Sequence, residues 1–254
     1  MAKKAVRRRR TISRRGRGRG GRNRSRSRYY IIGGVLVAVL VVTAAFLVLR
    51  TTPAGSTSTS VKPVILYVNQ GNGVVNQTNF GSMLSFTVAH GFNTVFFQVY
   101  REGSLLFQAG QLSSFVTQAH AQGLRIYFAL YITNSSQQLP VSIYPLGEDG
   151  ISLDMSALPV SDQASILGTV KAGFQSGKVA ITTTDFTLSL SPDLLVLETY
   201  GTEYQSYVHP GIIGSVGVFA TTSKSDYEQQ FQYALQNSDG VMVFDYAGLL
   251  KSGY

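Results

Sequence analysis

Four times between residues 80 and 244 the chain repeats one unit: apolar residues three or four apart, then a glycine, then a near-continuous apolar run. Phe80, Met83, Leu84 and Val88 form the first stripe, which leads to Gly91 and the run 94–99. Leu112, Phe115, Val116 and Ala119 lead to Gly123 and the run 124–131. Ile166, Leu167, Val170 and Phe174 lead to Gly177 and the run 178–182, and Tyr227, Phe231, Ala234 and Leu235 to Gly240 and the run 241–244. Spacing near 3.6 predicts helices with one buried face. A glycine after each predicts a left-handed cap, because without a Cβ positive φ costs little. Ser225 and Glu228 predict a capping box for the last helix.

The runs predict strands at 64–68, 94–99, 125–131, 178–183, 194–197, 217–220 and 241–244. Strands that are apolar at consecutive positions are buried on both faces, as parallel strands are. Alternating strands and helices define an α/β fold with right-handed crossovers. Seven strands without a Gly-rich phosphate loop favour a (β/α) barrel over an open sheet. No eighth strand stands out: residues 141–155 read as an irregular excursion. Residues 184–193 leave little room for a helix, 203–208 offer two turns at most, and only a stub follows the last strand. The expectation for residues 63–254 is a compact or incomplete (β/α) barrel.

A different pattern precedes it. Residues 31–49 are free of charge, long enough to span a hydrocarbon core of ~30 Å as a helix. Residues 3–28 hold fourteen Lys and Arg and no acid, whereas after Arg50 seven basic residues face thirteen acidic ones. The positive-inside rule then predicts a cytoplasmic arm (1–28), a transmembrane helix (29–50) contacting membrane lipids, a Ser/Thr-rich linker (51–62) and an extracytoplasmic domain at the cell membrane. A cleaved signal peptide is the alternative, but its apolar region spans only ~7–15 residues. The Arg-Gly and Arg-Ser repeats fit a disordered tail touching anionic headgroups in preference to nucleic acid.

The chain has no Cys, which excludes disulfides and thiolate chemistry. Asn76 and Asn134 open sequons that are glycan acceptors only where the host glycosylates exported chains. His90 and His120 fall at helix ends, where a cation suits the helix dipole. His209 lies in a loop. No zinc-spacing motif, phosphate loop, dinucleotide fingerprint or Gly-x-Ser-x-Gly is present, so no cofactor or metal is assigned.

In a parallel barrel, chemistry sits at the carboxyl ends of the strands. Four acids occupy such positions: Glu102, Asp185, Glu198 and Asp245. With them stand Asn69, Gln98, Tyr100, Arg101, Tyr131, Tyr200 and Tyr246. Paired carboxyls at such a face can serve as general acid and base. Asp185 and Glu198, ending neighbouring strands, are the expected pair, with Asp245 and Glu102 nearby.

Gly91-Phe-Asn-Thr-Val-Phe-Phe-Gln-Val-Tyr-Arg101 with Gly103-Ser-Leu-Leu-Phe107, and Gly240-Val-Met-Val-Phe-Asp-Tyr-Ala247, resemble segments of the glycoside-hydrolase-like TIM-barrel domain family. The resemblance covers about an eighth of the domain and implies carbohydrate as the substrate class, at the strand carboxyl ends. It implies two carboxyls across a glycosidic bond, one as acid and the other as nucleophile or base, with Tyr rings stacking on sugar faces and amides bonding hydroxyls. The neighbouring strands of Asp185 and Glu198 then suit the retaining separation. Tyr100 displaces by one place the Arg that the family pattern has directly after Gln-Val, and no Glu falls on the seventh strand. The expected function is a membrane-anchored surface protein acting on cell-envelope or extracellular polysaccharide. The alternatives are a non-catalytic glycan-binding barrel and a cell-surface scaffold.

Overall fold

The protein's structure is a computed structural model that describes residues 61–253 apart from 188 and 202. The basic arm, the apolar run 31–49 and nearly all of the linker lie outside the described residues. Among the described residues no helix is long and apolar enough to cross a membrane.

Nine strands form one sheet: β1 Val64–Val68, β2 Thr94–Arg101, β3 Ser104–Leu105, β4 Arg125–Tyr131, β5 Gly150–Asp154, β6 Lys178–Thr183, β7 Leu194–Leu197, β8 Ile213–Gly217 and β9 Gly240–Phe244. All but β3 are parallel, and β1 pairs with both β2 and β9, so eight strands close into a barrel. β3 is a two-residue antiparallel flap on the rim of β2. The helices are α1 Phe80–Ala89, α2 Ala109–Ala121, α3 Val160–Gly173, α4 Lys224–Asn237 and α5 Tyr246–Ser252. Three crossovers, β4–β5, β6–β7 and β7–β8, carry no α-helix among the described residues. The barrel is therefore complete in strands and thin only in its outer layer.

Two strands correct the sequence-based expectation. β5 lies within the stretch read as irregular. Its inner positions are Gly150, Ser152 and Asp154, and only Ile151 and Leu153 face the outer core. The Tyr127 ring fills the space a Gly150 side chain would need, and the Ser152 and Thr182 hydroxyls lie 3.3 Å apart across β5 and β6. Small polar residues suit the narrow interior there and erase the apolar run. β8 runs over 213–217, ahead of the expected 217–220, and its Gly214 lets the Cβ of Ala234 on α4 approach closely.

The barrel interior is packed by Ile65, Phe96, Tyr127, Ala180, Val196 and Met242 among others. Between barrel and helices a larger core holds a ring cluster, with Phe97 stacked on Phe115 at 4.3 Å and Phe80 4.9 Å from Phe115. Burying each such side chain contributes about 1.5–3 kcal/mol. The α2 stripe is buried as its spacing predicts. On α4 only Ala234 of the predicted stripe is fully buried, and its cap is Ser223, not Ser225: the Ser223 hydroxyl accepts from the Asp226 N–H at 3.1 Å.

Of the four glycines, Gly91 and Gly123 have φ of 78° and 77°. Gly177 and Gly240 are not left-handed. They are glycines for a different reason: a Cβ at Gly177 would strike the Asp149 carbonyl, and one at Gly240 the Pro63 carbonyl. Polar side chains tie the lower barrel rim. Asn93 accepts from the Val64 N–H at 3.0 Å, Asp149 from the Ile126 N–H at 2.8 Å, and Asp193 from the Val179 N–H at 2.8 Å. His120 lies 2.9 Å from Asp149, within this rim network.

Candidate active site

Parallel strands deliver their carboxyl ends to one mouth. There a cavity of about 210 Å³ is lined by Tyr67, Asn69, Gln98, Arg101, Tyr131, Asp154, Glu198 and Phe244. Side-chain alternation explains most of the set. Inward positions on β1 are Ile65 and Tyr67, then Asn69; on β5 they end at Asp154; on β7 they continue through Val196 to Glu198.

Arg101 needs a further device. In β2 the inward residues Phe96 and Gln98 would be followed by residue 100. Between Gln98 and Tyr100 the register against β4 shifts, a β-bulge that adds one residue. Val99 and Tyr100 both turn outward into the helix-side core, and Arg101 regains the cavity. The Arg101 guanidinium lies 5.6 Å from the Tyr131 ring centroid and pairs with exposed Glu102 at 3.3 Å.

Asp154 and Glu198 are the carboxyls of this cavity. Burial raises Asp154 to about 6, partly offset by the Ser156 hydroxyl, which donates to it at 3.3 Å. Burial, and then the charge of Asp154, raise Glu198 to about 7, against a hydrogen bond from the Tyr200 hydroxyl that lowers it. The Tyr67 hydroxyl is held well above its ordinary value by burial first and then by Asp154, Tyr200 and Glu198. Both acids are raised by burial and the charge of Asp154 raises Glu198 further, so ionising one helps the other keep its proton, as one donor and one base need. Gln98 accepts from the Gln70 N–H at 2.8 Å and Asn69 from the Gly71 N–H at 2.7 Å, which holds both amides at the rim.

Several expected site residues lie elsewhere. Asp185 folds onto its own loop, accepting from the Thr187 hydroxyl at 2.7 Å and N–H at 2.8 Å, and these bonds keep its pKa low. It is a turn cap and does not line the cavity of Glu198. Glu102 sits at a φ of 50° on the exposed β2–β3 turn. Tyr100, sent outward by the bulge, donates to the Gln138 carbonyl at 2.8 Å. Tyr246 opens α5 and packs edge-on to Phe86 at 5.2 Å, in the core. Asp245 caps α5, accepting from the Gly248 N–H at 2.9 Å, and lines an adjoining cavity of about 590 Å³ with Asn69, Phe219, Phe244 and Lys251. Tyr200 stands beside Glu198, and Ser215 donates to its hydroxyl at 3.3 Å.

Asp154 and Tyr67 were missed by sequence reasoning. Asp154 ends the strand that went unrecognised, and Tyr67 reads as one more apolar residue of β1. The available signal was the alternation Gly-Ile-Ser-Leu-Asp at 150–154, closing on an acid. Among the described residues no group of three or more His, Cys, Asp or Glu is placed to hold a metal ion.

The closed eight-stranded parallel barrel with outer helices is a TIM-like fold. Solved structures with this architecture include an endo-1,4-beta-mannanase from Eisenia fetida, at a TM-score of 0.53 and 12% identity over 77% of this chain and 88% of that one. The catalytic domain of the Thermobifida fusca endoglucanase Cel5A gives 0.53 and 7% identity, over 73% of this chain and 79% of that one. CpGH84B gives 0.51 and 8% identity over 72% of this chain, which spans only 44% of its length. What the chain shares with these structures is the TIM-like fold. No family model and no curated protein matches the chain.

Proposed function

We propose that the barrel hydrolyses a glycan, with Glu198 as general acid and Asp154 as the ionised partner. The observation that carries this reading is the convergence of these two carboxyls, both raised by burial, in one aromatic- and amide-lined cavity at the strand carboxyl ends. Glu198, with the higher pKa, keeps the proton that the leaving glycosidic oxygen takes up as its bond to the anomeric carbon breaks. β6 separates β5 from β7, so the two anchors are about two strand spacings of ~4.8 Å apart. That favours the wider pair of an inverting enzyme, ~6.5–9.5 Å between carboxyls, with room for a water between. Asp154 takes a proton from that water as its oxygen bonds to the anomeric carbon. This reading takes an inverting pair in place of the retaining one expected of Asp185 and Glu198.

The substrate class we propose is a cell-envelope or extracellular polysaccharide. The solved neighbours act, by their titles, on chains such as β-1,4-linked mannan, and the cavity offers rings for sugar faces and amides for hydroxyls. We place the barrel outside the cell membrane on a single span, with the basic arm inside against anionic headgroups. The charge-free run at 31–49 and the reversal of charge around it support this topology.

The test is incubation of the purified barrel, residues 61–254, with β-1,4-linked mannan, glucan and chitin oligosaccharides and with isolated envelope polysaccharide. The anomer formed first is read by proton NMR. Release of the inverted anomer supports the proposal. Retention rules out the single-displacement arrangement, and saturable binding without release of reducing ends leaves a glycan-binding barrel.

A further inference from the structure

Beside the catalytic cavity lies a cleft of about 510 Å³ that the proposed chemistry does not use. One wall is aromatic. Phe219 is 46% exposed, and its ring stands edge-on to Tyr200 at 5.3 Å and 6.3 Å from Phe244. It is held there by local structure. Gly217 has no side chain, and the Phe219 ring occupies the place a Cβ would take. The Phe219 N–H donates to the Thr222 hydroxyl at 3.1 Å, which closes the turn beneath it. The facing wall is the first two turns of α4, with Asp226, Gln229 and Gln230. Asp226 uses Oδ2 on the Ser223 hydroxyl at 2.6 Å, and among the described residues the two glutamine amides make no hydrogen bond.

The cleft is not isolated. Tyr200 lines it and hydrogen-bonds Glu198. Phe219 and Thr222 also line the Asp245 cavity, which shares Asn69 and Phe244 with the catalytic cavity. A groove therefore runs from the carboxyl pair around Phe244 and Phe219 to the head of α4.

We propose that this cleft is a second carbohydrate subsite, in which a sugar remote from the scissile bond stacks on Phe219 and bonds the α4 amides. An aromatic ring opposite free amides and a carboxylate suits a ring whose faces are C–H and whose rim is hydroxyl. The inference rests on the glycan reading above and deepens it: the substrate is a chain of several sugars, held on more than one side of the reacting bond.

The experiment uses the full chain and its Phe219→Ala, Phe219→Tyr and Gln230→Ala variants, with cello-, manno- and chitohexaose against the matching bioses. Phe219→Ala should lower kcat/KM for the hexaose that is cleaved tenfold or more beyond any loss on the biose, mainly through KM. Phe219→Tyr should restore it, and Gln230→Ala should show a smaller loss of the same kind. Equal losses on long and short substrates, or none, overturn the subsite. Calorimetric binding of the same hexaoses to chains that also carry Glu198→Gln separates the two claims. If hexaose binds and Phe219→Ala abolishes it while no chain is cleaved, the subsite stands and the hydrolase reading falls. If Phe219→Ala leaves hexaose binding intact, or no hexaose binds, the subsite falls.

Discussion

Asp154 and Glu198 line one cavity from strands that do not touch: β5 and β7 each pair with β6, which lies between them. The two acids are nonetheless coupled, since the charge of Asp154 raises Glu198. This relationship sets the expected pH behaviour.

The proposed mechanism requires Asp154 ionised and Glu198 protonated. With Asp154 raised to about 6 and Glu198 to about 7, kcat/KM should follow a bell whose limbs both lie well above the ordinary carboxylate range. The two limbs belong to the pair as a unit. Tyr200→Phe removes a hydrogen bond that favours ionised Glu198. The pKa of Glu198 then rises, and the alkaline limb should move to higher pH. A limb that moves to lower pH, or stays, contradicts the assignment of Glu198 as the acid.

Glu148 offers a stability test away from the site. It is 4% exposed, and burial raises it to about 7. The N–H groups of Leu146 and of Glu148 itself offset this in part, but neither carboxylate oxygen makes a well-formed hydrogen bond. Its folded pKa lies above its unfolded value, so the native state binds the proton more tightly. The contribution of Glu148 to stability therefore falls as pH rises from about 4.5 to about 7, with no further loss from this group above. By urea unfolding, Glu148→Gln should stabilise the protein more at pH 8 than at pH 4.5, by an amount on the order of 1–3 kcal/mol. An equal effect at both pH values would show that Glu148 is not buried in its charged form.

The glycines predict two kinds of damage. Gly91→Ala and Gly123→Ala should each cost about 1 kcal/mol, from strain at positive φ. Gly177→Ala and Gly240→Ala should cost about 1–3 kcal/mol, because the new methyl meets a backbone carbonyl that cannot swing aside. Denaturant unfolding of the four variants checks the order.

These glycines also show how much the sequence discloses. Helix ends and strand starts were legible because a glycine stands at each junction, whichever of two reasons put it there. α2 was legible because its buried face is wholly apolar. β5 and β8 were not, since the barrel interior and the close approach of α4 demanded Gly and Ser at Gly150, Ser152 and Gly214. The cavity was legible at Asn69, Tyr131 and Glu198, where strand ends were correctly placed, and at Gln98 and Arg101, although β2 runs two residues past its expected end at 99. It was misread at Tyr100, because a bulge reverses alternation without changing composition, and at Asp185, whose carboxylate satisfies its own turn. Asp154 went unseen with its strand.

The proposed topology has its own check. In intact cells an external protease should cut within residues 51–61 and release the barrel, while an epitope on the arm stays protected. Digestion of the arm with protection of the barrel would reverse the orientation.

The central claim is that Asp154 and Glu198 perform the chemistry. The most direct measurement is reducing-end release by the purified barrel from the glycan it cleaves, compared with Asp154→Asn, Glu198→Gln and Asp185→Asn. Loss of general acid–base work should cost ~10²-fold or more for each of the first two. Asp185→Asn, which removes only a turn cap, should stay within a few-fold of the parent. Full activity in either Asp154→Asn or Glu198→Gln, or a loss confined to Asp185→Asn, would contradict the account.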